Sequence, residues 1–166
     1  YSSAASDVYK RQMSDQAKES FKAKNIDQWQ KGEPNRQVME ASILRSQLHV
    51  LEDTGQVVGM ITIVPGPEAS YASIDGAWLN QEPYFAFHRV CVEESMKGRG
   101  LAARLFSEAE QYVLKTGVRN IRIDTHPDNQ AMQRALAKSG YICCGTLVLT
   151  GGSEAGDLRV GYQKVI

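Results

Sequence analysis

A short segment rich in glycine and basic residues is the part of this sequence best suited to binding a ligand. Lys97, Gly98, Arg99 and Gly100 follow an apolar run and precede a stretch with helical spacing. Glycine lets the main chain approach a ligand, and the first N–H groups of a helix lack partners within it. With the helix dipole and two cations, the segment predicts an anion site suited to a diphosphate. A tight turn with solvated cations is the alternative, which the bare string favours.

The same segment differs from two common nucleotide-binding motifs. No Gly-Lys-Ser/Thr run follows at the spacing of a P-loop, and GRGLAA lacks the third glycine of the dinucleotide fingerprint. Both of those classes are therefore excluded.

Two histidines near predicted strand ends are candidates for proton transfer. His88 lies in the apolar run before the glycine segment, His126 follows the next predicted strand, and Glu93 and Glu94 lie between them. Histidine exchanges a proton near neutral pH, so we prefer His88 and His126 as general bases. The alternatives are a buried structural histidine at 88 and a turn-capping histidine at 126.

These residues require a fold that brings strand ends and a helix N-terminus together. Hydrophobic spacing and turn signals predict an α/β (α+β) domain with one mixed sheet covered by helices on both faces, and a parallel strand-helix-strand crossover over 84–125. The predicted elements are helices over 14–25 and 34–46, hairpin strands over 47–52 and 56–64, a long connection over 65–83, a strand over 84–92, a helix over 99–114, a strand over 120–125, a helix over 129–138, and closing strands over 141–149 and 158–165.

Composition limits the class of protein. The 166 residues suit one domain, and 42% hydrophobic with 23% charged residues excludes a disordered or collagenous chain. Nineteen basic residues balance nineteen acidic ones, so no overall charge attracts nucleic acid or an anionic membrane. No membrane span is expected, because the longest uncharged apolar run, 57–64, is far shorter than the roughly 20 residues that cross a bilayer.

The cysteines and the first residues also carry information. Cys91, Cys143 and Cys144 form no CxxC pair, which argues against a metal site or a disulfide framework and favours a cytoplasmic setting. Residues 1–12, YSSAASDVYKRQ, look like a non-native leader from vector translation, so 13–166 is taken as the single domain. Whether Met13 is the native start stays open.

Two motifs in the expected order resemble the GNAT N-acetyltransferase superfamily. Its acetyl-CoA signature is Q/R-x-x-G-x-G/A, and here Lys97 departs from the first position while Gly100 and Ala102 match. About thirty residues later, DNQA at 128–131 and KSGY at 138–141 resemble the family's Asn-x-x-Ala helix and closing Gly-Phe/Tyr. The resemblance implies a mostly antiparallel sheet and an acetyl-CoA-dependent N-acetyltransferase, in which a primary amine of a small molecule or protein attacks the thioester directly.

The resemblance also implies roles for particular residues. Main-chain groups of Val90 and Val92 would pair with the pantetheine arm, residues 98–102 including Leu101 would hold the diphosphate, and Asn129 would bond the pantetheine or cap its helix. The acceptor would contact Trp29, Trp78 and Tyr84, although core packing is the more common role of such side chains. Arg89 would recognise a substrate carboxylate or pair with a strand neighbour.

Two departures from the family pattern affect the mechanism that the resemblance implies. Leu136 occupies the position of the tyrosine that protonates the thiolate in many relatives, and Tyr141 is a substitute only if geometry allows. No candidate exists for the family's first strand, so we expect that strand to be missing. Both departures support the alternative function, a CoA-binding sensor without turnover. Homodimers are common in this family, although no apolar surface stripe here indicates one.

Overall fold

A seven-stranded sheet flanked by four helices forms the computed structural model, which describes residues 4–166, with side chains from residue 11 onward. The helices are α1 (Ala4–Ala23), α2 (Arg36–Leu44), α3 (Leu101–Lys115) and α4 (Gln130–Lys138). The strands are β1 (Leu48–Asp53), β2 (Gln56–Pro65), β3 (Asp75–Gly76), β4 (Phe85–Val92), β5 (Asn120–Thr125), β6 (Ile142–Val148) and β7 (Leu158–Val165). No described helix is long and apolar enough to cross a membrane.

The sheet has the mixed topology that the sequence predicted. Its strand order is β1-β2-β4-β5-β7-β6-β3, and β4 with β5 is the one parallel pair among otherwise antiparallel neighbours. The predicted hairpin is β1 with β2, and the predicted crossover connects β4 through α3 to β5. The fold class is therefore confirmed.

Helices cover both faces of the sheet. The apolar stripe of α3, which includes Leu105 and Phe106, packs with Phe87 and Ile121 in the largest buried cluster. On the other face, Met13 and Met39 pack against Met60. Burial of one large apolar side chain contributes about 1.5–3 kcal/mol, so these two layers fix the orientation of β4 and β5.

The first helix is longer than predicted. The prediction began it at Ser14 and set residues 1–12 aside, whereas α1 begins at Ala4 and places Met13 in the core, 2% exposed. Residues 1–3 lie outside the described residues, and the origin of the leader stays a prediction. Within residues 4–47 no strand precedes β1, which pairs only with β2 and so forms an edge of the sheet.

The long connection between β2 and β4 is fixed to the sheet by two glycines. It contains a 3₁₀ turn, Ala69–Tyr71, and the short β3, which pairs with β6 where Gly76 faces Gly145. A Cβ on Gly145 would lie 2.1 Å from the main-chain oxygen of Asp75, and the φ of Gly145 is +135°. Only glycine permits this close approach of two main chains.

We expect Gly145→Ala to lower the free energy of unfolding by about 2–3 kcal/mol, because strain and a main-chain clash add. Gly156→Ala is the control, since Gly156 also has a positive φ, +93°, but a Cβ there meets nothing within 4 Å. The control should lose only about 1 kcal/mol. Urea unfolding of both variants measures the difference, and equal losses would contradict the close-approach argument.

Candidate functional site

The strands β4 and β5 separate after a short stretch of pairing. They are hydrogen-bonded only where Phe85–Phe87 faces Ile121–Ile123, although β4 continues to Val92 and β5 to Thr125. Beyond Phe87, the main chain of β4 therefore has no strand partner on its β5 side in the described structure. An extended ligand can bind such an edge as an additional strand.

A β-bulge lies at the point where the strands separate. Met60 faces Cys91 and Thr62 faces His88, so Arg89 and Val90 together oppose a single residue of β2. Arg89 has a φ of +51°, a conformation that non-glycine residues seldom adopt. The bulge turns β4 away from β5 and opens the gap between them.

A cavity of about 710 Å³ opens at this gap. Its walls include residues of β4, β5, β7, α2 and α4 and of the three loops that follow α1, β2 and β6, and its volume suits a small molecule. The polar and charged residues of the wall, with Trp29 and Val90, are Glu33, Ser42, Arg45, Glu68, His88, Arg89, Asp124, Asn129, Glu154 and Arg159, among others.

His88 contacts a carboxylate in the cavity wall. Its Nε2 forms a short hydrogen bond with Oε1 of Glu68, and the two side chains are 26% and 21% exposed. The main-chain N–H of Glu68 donates to the hydroxyl of Tyr84 at 2.7 Å, which fixes the loop that carries the carboxylate. A histidine supported by a carboxylate can take up a proton at the cavity surface.

A buried network of charged side chains lies beside this pair. The hydroxyl of Tyr71 donates to Oδ2 of Asp124 at 2.6 Å, and Arg159 lies 3.8 Å from Oδ1 of Asp124 and 2.6 Å from Oε2 of Glu154. Burial raises the pKa of Asp124, although His88, Tyr71 and Arg159 oppose the shift. Burial also raises the pKa of Tyr71 well above its usual range.

Four charged residues near the cavity were not predicted from the sequence: Glu68, Asp124, Glu154 and Arg159. Asp124 lies within β5 near its carboxyl end, and a carboxylate at that end of a strand was the available signal. The loop positions Glu68 and Glu154 had none, because their approach to the cavity depends on tertiary packing.

The structure places the second predicted base away from the cavity. Nδ1 of His126 accepts a hydrogen bond from the main-chain N–H of Asp128 at 3.0 Å, which is the turn-capping alternative, and His126 is absent from the described lining. Asn129 does line the cavity, but its Oδ1 caps α4 by accepting from the N–H of Met132 and its Nδ2 donates to Gln28 at 2.9 Å. A catalytic role for His126 stays a prediction without geometric support.

The glycine segment forms the exposed turn that leads into α3. Gly98 and Gly100 have φ values of +81° and +73°, and a Cβ on either would meet nothing within 4 Å. Across residues 98–103, no main-chain N–H donates to an acceptor in the described structure. Lys97 pairs with Glu94 at 2.6 Å, and Arg99 contacts the sulfur of Met96 at 3.4 Å. Unpartnered donors, open space and a helix N-terminus together suit a bound anion.

Two of the four predicted acceptor contacts lie in the core. Trp29 and Arg89 line the cavity, whereas Trp78 and Tyr84 lie outside its described lining, on either side of the Arg122 guanidinium at 4.4 and 4.1 Å. The indole of Trp78 donates to the main-chain oxygen of Tyr71 at 2.9 Å. Both aromatic rings are buried because the connection that carries them is fixed against the sheet.

The missing tyrosine acid has no substitute in the described lining of the cavity. Leu136 is fully buried, and the hydroxyl of Tyr141 donates to Glu110 on α3 at 3.1 Å, away from the described cavity lining. Cys91 is buried too, and burial raises the pKa of its thiol to about 12. Its sulfur therefore stays protonated and does not suit an acyl carrier. The described residues contain no group of three or more side chains arranged to hold a metal ion.

The comparisons with known proteins identify the same architecture. The model of the acetyltransferase (GNAT) family matches residues 10–141. A GNAT-family acetyltransferase from Streptococcus agalactiae is 29% identical, with a TM-score of 0.87 and coverage of 99% of this chain and 92% of that one.

More distant structures share the fold. A GNAT-family acetyltransferase from Listeria monocytogenes is 18% identical, with a TM-score of 0.71 and coverage of 99% and 91%. An aminoglycoside 6'-acetyltransferase type Ii is 19% identical, with a TM-score of 0.59 and coverage of 95% and 90%. No curated protein matches this sequence significantly.

The raised pKa of Asp124 predicts a particular dependence of stability on pH. A carboxyl group whose pKa is higher in the folded than in the unfolded state stabilises the folded state only while it is protonated. The contribution of Asp124 to the free energy of unfolding therefore falls as the pH rises above about 4. Asp124→Asn retains an acceptor for Tyr71 but does not titrate. The stability of wild type minus that of the variant should therefore decrease as the pH rises, as measured by urea unfolding. An increase would mean that ion pairing with Arg159 outweighs burial.

Proposed function

Because this chain belongs to the acetyltransferase (GNAT) family, we propose that it transfers an acetyl group from acetyl-CoA to a primary amine of a small molecule or protein. The observation that carries this proposal is the separation of β4 from β5 at the Arg89 bulge, with His88 on the wall of the resulting cavity. The cavity brings an unpaired strand edge and a proton acceptor to one place.

The residues around the gap fit acetyl-CoA. Val90 and Val92 lie on the part of β4 that has no β5 partner, which supports main-chain pairing with the pantetheine arm. The open turn at 98–102 supports binding of the diphosphate by main-chain N–H groups of Gly98, Arg99, Gly100, Leu101 and Ala102. Lys97 adds positive charge there, although it also pairs with Glu94.

His88 is the proposed general base. An acceptor amine is largely an ammonium at neutral pH, and His88 takes its proton directly or through a water molecule while Glu68 stabilises the imidazolium. The amine nitrogen then bonds to the thioester carbon, the carbon–sulfur bond breaks, and the electron pair leaves on sulfur. Because no tyrosine lines the described cavity, the proton that reaches sulfur comes from water or from the attacking amine.

Glycine variants at the two ends of α3 test the proposed cofactor site. Gly100→Glu should raise the KM for acetyl-CoA about tenfold or more, because its carboxylate would repel the diphosphate. Gly117→Glu is a matched control, since Gly117 has a φ of +88° and equally open surroundings. Release of CoA in the presence of a panel of amines, followed with a thiol reagent, measures both variants. Equal effects would remove the anion-site assignment.

Histidine variants test the proposed base. His88→Gln should lower kcat about 100-fold or more and change the acidic limb of the pH profile. His49→Gln is the control, because His49 packs against the tilted ring of Tyr112 and does not line the cavity. A larger loss in His126→Gln than in His88→Gln would transfer the role to His126. Binding of acetyl-CoA without release of CoA from any amine would favour the sensor function instead.

A further inference from the structure

Two arginines in the cavity wall lack an acidic partner among the described side chains. Neither Arg45 nor Arg89 lies within 4.0 Å of a carboxylate among the side chains of residues 11–166. The third arginine of the wall, Arg159, is instead held by Glu154 at 2.6 Å. Arg45 is exposed, and Arg89 is partly buried.

Most N–H donors of the Arg89 guanidinium have no acceptor within the described structure. Its one hydrogen bond within the described structure is from an Nη to Oγ of Ser42 at 3.2 Å, although a guanidinium carries five N–H donors. Burial lowers the pKa of Arg89, while Glu33 and Glu68 act in the opposite direction from farther away. A partly desolvated cation without an ion pair costs free energy that a bound anion would offset.

The bulge places this cation next to the proposed base. Successive side chains of a regular strand point to opposite faces, yet both His88 and Arg89 line the same cavity. The extra residue of the bulge accounts for this arrangement. A proton acceptor and an anion-binding group thus lie side by side, within reach of the two ends of one small molecule.

Resting on the proposed acetyl transfer, we infer that the acceptor is an amino carboxylate whose carboxylate binds Arg89 while its amine faces His88. The planar guanidinium offers two parallel N–H donors that match the two oxygens of a carboxylate. Arg45, the residue that follows the end of α2 and lies three positions after Ser42, also lines the cavity and adds positive charge to it.

The test compares amino acids with their amides, which keep the amine but lose the carboxylate charge. Wild-type protein receives acetyl-CoA with an equimolar pool of α-amino acids and α-amino amides, and mass spectrometry gives the ratio of acetylated products. We expect about tenfold or more acetylated amino acid over acetylated amide, because the amides cannot form the charge-assisted hydrogen bonds to Arg89. A ratio near one, or acetylation of unrelated amines only, overturns the inference and leaves the acetyltransferase proposal standing.

Substitutions of Arg89 test whether this residue causes the preference for amino acids over their amides. Arg89→Gln should bring the ratio close to one, and Arg89→Lys should retain part of it by keeping the charge. Arg36→Gln should keep the wild-type ratio, because Arg36 is an exposed residue of α2 that pairs with Glu40 and does not line the cavity. Thermal unfolding checks that each variant is folded. A raised KM for acetyl-CoA in Arg89→Gln, with the ratio unchanged, would assign Arg89 to the cofactor and overturn the inference.

A binding measurement decides the inference if no amine releases CoA. Saturation-transfer NMR with the same two pools and CoA should show contact with the amino acids, and Arg89→Gln should abolish it. Absence of contact in wild type overturns the inference. Failure of the transferase activity itself is recognised separately, by the lack of CoA release from every amine tested.

Discussion

The interruption of a single strand pair determines where this molecule has its cavity. The sheet satisfies its main-chain hydrogen bonds by pairing neighbouring strands, and β4 with β5 departs from this after three residues on each strand. The bulge at Arg89 coincides with that departure, and helices pack on both faces of the sheet around it. The cavity, the unpaired edge and the position of His88 all follow from this one irregularity.

Charge around the cavity is arranged in two ways. Arg159 lies between Asp124 and Glu154, so these buried charged side chains near His88 have partners within the structure. The Arg89 guanidinium lacks such a charged partner among the described side chains. The cavity wall therefore combines charged side chains that have partners and support the fold with the Arg89 guanidinium, which is available to a ligand.

The order of elements and the glycine turn were predictable because their signals are local. A glycine at a helix start, an apolar period or a turn residue can be recognised within a few positions of sequence. The approach of Asp124 to Arg159 depends instead on the pairing of β5 with β7, and that of Glu68 to His88 on how the connection at 65–83 folds back. Trp78 and Tyr84 were predicted at the acceptor and lie in the core, since a loop fixed by Gly76 and Gly145 can bury its aromatic side chains.

The turn at residues 98–102 also bears on how freely this protein can evolve. Its available donors belong to the main chain, and no substitution other than proline removes a main-chain N–H. The residue types in such a turn can change during evolution provided that the two glycines keep their conformation. Lys97 stands where the signature that this segment resembles has glutamine or arginine, which is the kind of change such a turn permits. The proposed recognition by main-chain groups therefore depends little on which side chains surround the turn.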